Sequence, residues 1–306
     1  MQKDFLTLED RSPEEFKKLL DETLRLKKDR TGEKPLEGKN IAIIFNKSST
    51  RTRMGFEIGM QQLGGYAMFL SNREMQLGRG ESFSDTAKVM SRFVDGIVVR
   101  TYDQQDLEEL ANAATIPVIN ALTDMYHPCQ AVADYATILE KKGSFKGVSA
   151  AYIGDGNNVA NSFVIGGALL GLDIRIATPA GFELKPEIVV KAKSLMEKSG
   201  GSLLTTTDVF AAAKDADALY TDVWASMGEE DVAEDKKKSF TGFTINDKLL
   251  ESAKPDCMVM HCLPAYRGEE ISAEVIDGPK SVVWDQAENK LHAQKAVLKL
   301  VLIGDQ

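Results

Sequence analysis

Apolar residues in this chain fall into short compact runs separated by longer stretches of mixed polarity. NIAIIF (40–45), YAMFL (66–70), GIVVR (96–100) and IPVIN (116–120) are runs of strand length. Near 52–63, 84–93 and 105–114 the apolar residues recur at helical spacing instead. Apolar strands alternating with amphipathic helices predict a parallel sheet covered on both faces. A long helix is predicted near 128–142, PCQAVADYATILEKK, with Gly143 as its stop. The alternation then restarts. VSAAYIG (148–154), DIRIATP (173–179), ALYTDV (218–223), CMVMHC (257–262) and SVVWD (281–285) read as strands, with helices near 158–170, 185–199 and 208–214. AENKLHAQKAVLKLVLIG reads as a terminal amphipathic helix. At the other end, Ser12, Pro13 and Glu15 spell a capping box ahead of the first helix.

The pattern predicts an α/β protein with two doubly wound parallel-sheet domains joined by long helices. The boundary falls near residue 140: residues 1–140 form the first domain, 141–286 the second, and the helix 287–306 packs back on the first. The charged stretch SMGEEDVAEDKKKSFTGF (226–243) has few apolar anchors and is expected to be a mobile surface segment. A Gly-rich stretch, SNREMQLGRGESF (71–83), is a second surface loop.

Composition narrows the function classes. At 306 residues the chain exceeds the usual size of one domain, and its 43% apolar and 27% charged residues suit large cores. A net charge of −9 disfavours general nucleic-acid binding, whose affinity comes largely from neutralising phosphates. Cys129, Cys257 and Cys262 are odd in number and widely scattered, which predicts free thiols in a reducing compartment. The first residues lack the apolar core of a secretion signal, and no run approaches the roughly 20 apolar residues that span a bilayer. A cytoplasmic protein is expected.

The densest chemistry follows the first strand, in NKSSTRTR (46–53). Ser49, Thr50 and Thr52 supply hydroxyls and Arg51 and Arg53 supply guanidinium forks, where backbone N–H groups and the positive end of a helix dipole also point. Any one of these residues is ordinarily a cap or a solvated charge. Five donors in succession favour an anion site. The stretch is not a P-loop, and GDGNN at 154–158 does not complete a dinucleotide fingerprint, because position 159 is Val159.

STRTR at 49–53 resembles the carbamoyl-phosphate signature of the aspartate and ornithine carbamoyltransferases. HPCQ (127–130), DVWASMG (222–228) and HCLPAYRGEE (261–270) follow in that family's order, so the resemblance spans nearly the whole chain. HCLP together with SMG is similar to the ornithine branch. The reaction this implies is carbamoyl transfer from carbamoyl phosphate to the δ-amine of L-ornithine, giving citrulline and phosphate, with no metal and no cofactor.

By that resemblance the first domain binds carbamoyl phosphate and the second binds ornithine. Ser49, Thr50, Arg51 and Thr52 hold the phosphate. Arg100 and His127 donate to the carbonyl oxygen, and Gln130 accepts from the carbamoyl NH2. Leu263 offers its backbone carbonyl to the same NH2, through an expected cis Leu263-Pro264 bond. Asn158, Asp222, Ser226 and Met227 grip ornithine, and Cys262, paired with Asp222, stands beside the attacking amine. Gln76 reaches into a neighbouring subunit's site, which implies a homotrimer with shared active sites. Outside the resemblance, each residue has an ordinary reading: a cap for His127 or Asp222, a buried small side chain for Cys262, a surface loop for Gln76.

Two positions depart from the family pattern. Asn46 stands where Glu is usual, and Lys290 stands where the final helix usually carries an Arg that contacts carbamoyl phosphate. Lysine keeps the charge but loses the planar fork. Weaker carbamoyl-phosphate binding is expected, and Lys290→Arg should lower the KM for that substrate. Other readings are a carbamoyltransferase for another amine such as putrescine, and a non-catalytic relative that binds carbamoyl phosphate.

Overall fold

The computed structural model describes residues 3–71, 75, 80–225 and 233–304. The elements run α1 (Pro13–Lys28), β1 (Asn40–Phe45), α2 (Thr50–Gln62), β2 (Tyr66–Ser71), α3 (Phe83–Met90), β3 (Gly96–Arg100), α4 (Gln104–Ala113), β4 (Val118–Leu122) and α5 (Pro128–Lys142). They continue as β5 (Ser149–Ile153), α6 (Asn158–Leu170), β6 (Asp173–Ala177), α7 (Pro186–Ser199), β7 (Ser202–Thr206), α8 (Val209–Ala213) and β8 (Ala218–Thr221). The last are α9 (Ala233–Ser239), α10 (Asp247–Leu250), β9 (Met258–His261), α11 (Ala273–Ile276) and α12 (Val283–Ile303). The chain divides into two compact units, Met1–Ala136 with Asn289–Gln306, and Thr137–Glu288, so the polypeptide changes unit within α5 and again within α12.

The first unit is a four-stranded parallel sheet in the order β2-β1-β3-β4. Its buried runs Ile41–Phe45 and Ile97–Val99 need no polar alternation, because helices cover both faces. The outer edge of β4 is covered by the N-terminal segment: Phe5 N donates to Val118 O at 2.8 Å and Asn120 N to Phe5 O at 2.8 Å. The other edge, β2, differs from the expectation of a fully buried strand, with Tyr66 60% and Met68 47% exposed. Ser12 caps α1 in a complete capping box. The α12 residues of this unit lie against α2, where a Cβ on Gly55 would collide with the Gln294 side chain. Gln294 also donates to Thr52 O at 3.3 Å.

The second unit is a five-stranded parallel sheet, β7-β6-β5-β8-β9. Its helix α6 is buried along nearly its whole length, from Val159 to Leu170. That explains its continuous apolar sequence. Two expectations are corrected here and one strand is added. Ser202–Thr206, not among the strands read from the sequence, is edge strand β7, whose half-exposed residues lack the apolar run of a central strand. SVVWD is not a strand: Ser281 makes one isolated bridge to Val259, and the chain enters α12 at Val283. Val283 and Gln286 lie on the buried seam of that helix while Trp284 is 60% exposed, so β propensity yields to a helical period. The later part of the charged stretch 226–243 is anchored, because Phe240 is buried, stacks on Trp224 at 5.5 Å and meets Phe182 at 4.9 Å. Among the described residues, no helix is long and apolar enough to cross a membrane.

Candidate functional site

In each sheet the chain starts at an inner strand, builds outward, then returns to add strands on the other side. The reversal lies between β1 and β3 in the first unit and between β5 and β8 in the second. Loops leaving the C-terminal ends of two such strands diverge and leave a crevice, the usual ligand position in open α/β sheets. Both groups of expected site residues sit at these two crevices.

In the first unit, Phe45 and Arg100 are register partners at the ends of β1 and β3, and Asn46 N donates to Arg100 O at 2.8 Å. This brings the 46–53 loop beside Arg100. Ser49 is the N-cap of α2: its hydroxyl accepts from Thr52 N at 3.3 Å and donates to Thr52 Oγ1 at 2.9 Å. Thr52 is buried, while Thr50 and Arg51 are exposed at the start of the helix. Arg53, expected as a second fork, is engaged locally: it donates to Glu57 at 3.0 Å and stacks 3.7 Å over the Phe69 ring. Asn46 Nδ2 donates to Thr101 Oγ1 at 2.9 Å, which ties the two crevice loops together.

His127, immediately before Pro128 of α5, and Gln130, in its first turn, are both buried. Lys290 Nζ donates to Gln130 Oε1 at 2.8 Å, and Gln130 Nε2 donates to Asp134 Oδ1 at 2.8 Å. Burial, then the positive charges of Lys290 and Arg100, hold the His127 imidazole well below its ordinary pKa, so it is neutral at physiological pH. A neutral imidazole beside two fixed cations is a hydrogen-bond donor that does not compete for their anion. Asp134 was not anticipated as part of this cluster, although its i+4 spacing from Gln130 puts it on the same helix face.

In the second unit, Asp222 follows β8 and Cys262 follows β9. Cys262 Sγ donates to Asp222 Oδ1 at 2.9 Å. The other carboxylate oxygen, Oδ2, accepts from Asn157 Nδ2 at 3.1 Å. Asn157 is the N-cap of α6, its Oδ1 accepting from Val159 N at 2.9 Å and Ala160 N at 3.1 Å. Sequence reasoning singled out its neighbour Asn158, which is half-buried at the first position of α6. The signal for Asn157 was its position as a cap, but its bond to Asp222, 65 residues on, has no local trace.

Leu263 is held by His261. Its N–H donates to His261 Nδ1 at 2.9 Å, so the ring hydrogen lies on Nε2 and points to Glu270 Oε1 at 3.0 Å. The Leu263-Pro264 bond is cis and Leu263 has φ +61°. Glu270 Oε1 also accepts from Tyr266 N at 2.6 Å, closing the HCLPAYRGEE turn. Asp222, His261 and Cys262 put ligand-type atoms within 4.8 Å of one another. Both His261 nitrogens are already committed, which makes this a polar network. Gln76, Ser226 and Met227 lie outside the described residues.

Residues 3–140 match a family model described as the carbamoyl-P binding domain of aspartate/ornithine carbamoyltransferase, and residues 146–301 match its Asp/Orn binding domain. An ornithine carbamoyltransferase of Pyrococcus abyssi is 53% identical over 305 residues, covering 99% of this chain and 96% of that protein. One from Bacillus subtilis is 54% identical over 301 residues, covering 98% and 94%. The solved structure of ornithine carbamoyltransferase from Pyrococcus furiosus superposes with a TM-score of 0.95 at 53% identity, covering 99% of this chain and 98% of that one.

Proposed function

The chain belongs to the aspartate/ornithine carbamoyltransferase family, and from that premise we infer that it is an ornithine carbamoyltransferase, an enzyme that moves the carbamoyl group of carbamoyl phosphate to the δ-amine of L-ornithine. The observation that carries the choice of acceptor is the Cys262–Asp222 pair at 2.9 Å. It puts a carboxylate, with a thiol donor on one oxygen and an amide on the other, at the end of β8, where a substrate's α-ammonium can be held.

The neutral amine nitrogen attacks the carbonyl carbon, a tetrahedral intermediate forms, the carbon–oxygen bond to phosphate breaks, and the proton shed by the amine leaves on the phosphate. Carbamoyl phosphate is held by Ser49, Thr50, Arg51 and Thr52 at the start of α2, with Lys290 adding positive charge. Arg100 and neutral His127 donate to the carbonyl oxygen as charge grows there, which is the preorganised electrostatic stabilisation that usually dominates acyl transfer. Gln130 and the Leu263 carbonyl accept from the carbamoyl NH2. Asn158, Asp222, Ser226 and Met227 bind the amino-acid end of ornithine, and Cys262 faces the δ-amine. Positioning replaces general acid–base chemistry as the main source of rate.

The direction is citrulline formation, the anabolic sense that the names of relatives from Pyrococcus furiosus and Campylobacter jejuni carry. The protein works in the cytoplasm as a homotrimer in which Gln76 completes a neighbour's site. The open apolar edge formed by Tyr66 and Met68, on one face of β2, supports such an interface.

Phosphate release from carbamoyl phosphate, with ornithine, putrescine, aspartate and N-acetylornithine supplied separately, tests the reading. Turnover is expected with ornithine alone. Putrescine as the best acceptor would overturn the amino-acid grip, and no turnover with any acceptor would leave a carbamoyl-phosphate-binding protein without catalysis.

A further inference from the structure

Gln130 is 1% exposed and Asp134, one turn further along α5, is wholly buried. An ionised carboxylate can only accept hydrogen bonds and an ammonium can only donate them. The Gln130 amide lies between one of each: Lys290 Nζ is 2.8 Å from its oxygen and Asp134 Oδ1 is 2.8 Å from its nitrogen. Reversing the amide would turn NH2 toward an ammonium and C=O toward a carboxylate, replacing two charge-assisted bonds with two repulsions. A glutamine amide is otherwise nearly symmetric in shape and free to present either end.

We propose that Asp134 is a positioning residue that acts through Gln130: with Lys290 it fixes which end of the amide faces the reacting group, and so makes the site select a carbamoyl over an acetyl group. The inference rests on the assignment of Gln130 to the carbamoyl NH2. With the orientation fixed, the remaining lone pair of Gln130 Oε1 meets a substrate that has N–H groups to give. A methyl group at the same place leaves Oε1 with only the Lys290 bond and forfeits the second one, a loss of one buried hydrogen bond. Selection between these two near-isosteres therefore depends on a carboxylate that does not itself touch substrate. The same chain gives Lys290 a second use beyond neutralising phosphate. It explains how a single-point donor serves at that position, since Gln130 offers it one oxygen.

The test compares binding of carbamoyl phosphate, acetyl phosphate and inorganic phosphate to the full-length protein by calorimetry, alongside turnover with ornithine. Asp134→Asn keeps the shape but can show Gln130 either an N–H or a C=O. It should narrow the preference for carbamoyl over acetyl phosphate about fivefold, the worth of one hydrogen bond, and leave inorganic phosphate affinity unchanged. Asp134→Ala, which removes the acceptor outright, should narrow it at least as far and serves if the first variant does not fold. If the variants weaken all three ligands in proportion, Asp134 is merely structural and the proposal is overturned. If the unsubstituted protein neither binds carbamoyl phosphate nor turns over with ornithine, the functional reading fails first, and that result is distinguishable from a failure of Asp134 alone.

Discussion

The two units use the same architectural position and fill it with opposite charge. Each is a parallel sheet whose strand order reverses once, and each carries its polar residues where the loops diverge. In the first unit Arg100 and Lys290 act on an imidazole kept neutral, and Arg51 stands exposed at the start of α2. In the second it holds Asp222, bonded by Cys262 and Asn157. The sheet supplies only a place. Whether that place takes a phosphate or an ammonium depends on a handful of side chains at strand ends, which is why one fold can be used twice in one chain for two chemically opposite ligands. The means of support differ too. The basic crevice is braced by a distant helix, through Lys290 on α12, whereas the acidic one is braced from an adjoining loop, through Asn157.

That contrast can be broken from either side. The largest effect is expected from Arg100→Met, which removes a buried guanidinium that the proposed mechanism uses as a donor to the developing oxyanion. By analogy with loss of one oxyanion-hole donor, kcat should fall about 100- to 1000-fold, read by phosphate release. A drop of less than tenfold would remove Arg100 from the chemistry. Next is Asp222→Asn, which keeps the shape and loses the charge. The loss of a hydrogen bond to a charged group should lower kcat/KM for ornithine about 10- to 100-fold while the KM for carbamoyl phosphate stays put. Equal changes in both substrates would show that the two crevices are not chemically separate.

Asn157→Ala removes both a helix cap and a brace on Asp222. The cap alone should destabilise by about 1 kcal/mol in denaturant unfolding. The brace should appear as a further, severalfold loss in kcat/KM for ornithine. A stability loss with unaltered kinetics would reduce Asn157 to a cap. The smallest effect is that of pH on the unsubstituted enzyme, acting through His127. Its folded-state pKa is depressed, so protonation favours the unfolded chain: stability should be unaffected above the ordinary histidine pKa of 6.5 and should fall as pH drops below it, with a slope of up to about 1.4 kcal/mol per pH unit from this group. His127→Gln should flatten that slope in thermal unfolding, and kcat of the unsubstituted enzyme should show no ionisation near 6.5. An inflection there would mean that burial, with Lys290 and Arg100, does not hold the imidazole neutral.

Much of this comparison was written locally. The helices at 128–142 and 158–170 follow from period and stop signals, and Ser12, Ser49 and Asn157 sit at caps that their side chains can satisfy alone. Where the local pattern was silent or misleading, a neighbour outside the local window decided the outcome. Ser202–Thr206 becomes a strand because β6 is there to pair with it, and Val283–Asp285 becomes helix because the apolar positions extend the seam of α12. Arg53 reads as a phosphate ligand until Phe69 and Glu57 claim it.

By itself the sequence determined the alternation of strand and helix, the division into two sheets, and where donor-rich and acidic side chains gather, because hydrophobic period, caps and donor type are properties of a few consecutive residues. Only the tertiary structure decided the strand orders that create two crevices, and the contacts that set each reactive group: Lys290 to Gln130 across 160 positions, Asn157 to Asp222 across 65, Cys262 to Asp222 across 40. Those bonds join groups separated in the chain by far more than a helical turn or a hairpin. They exist only after each unit has folded its own elements against one another.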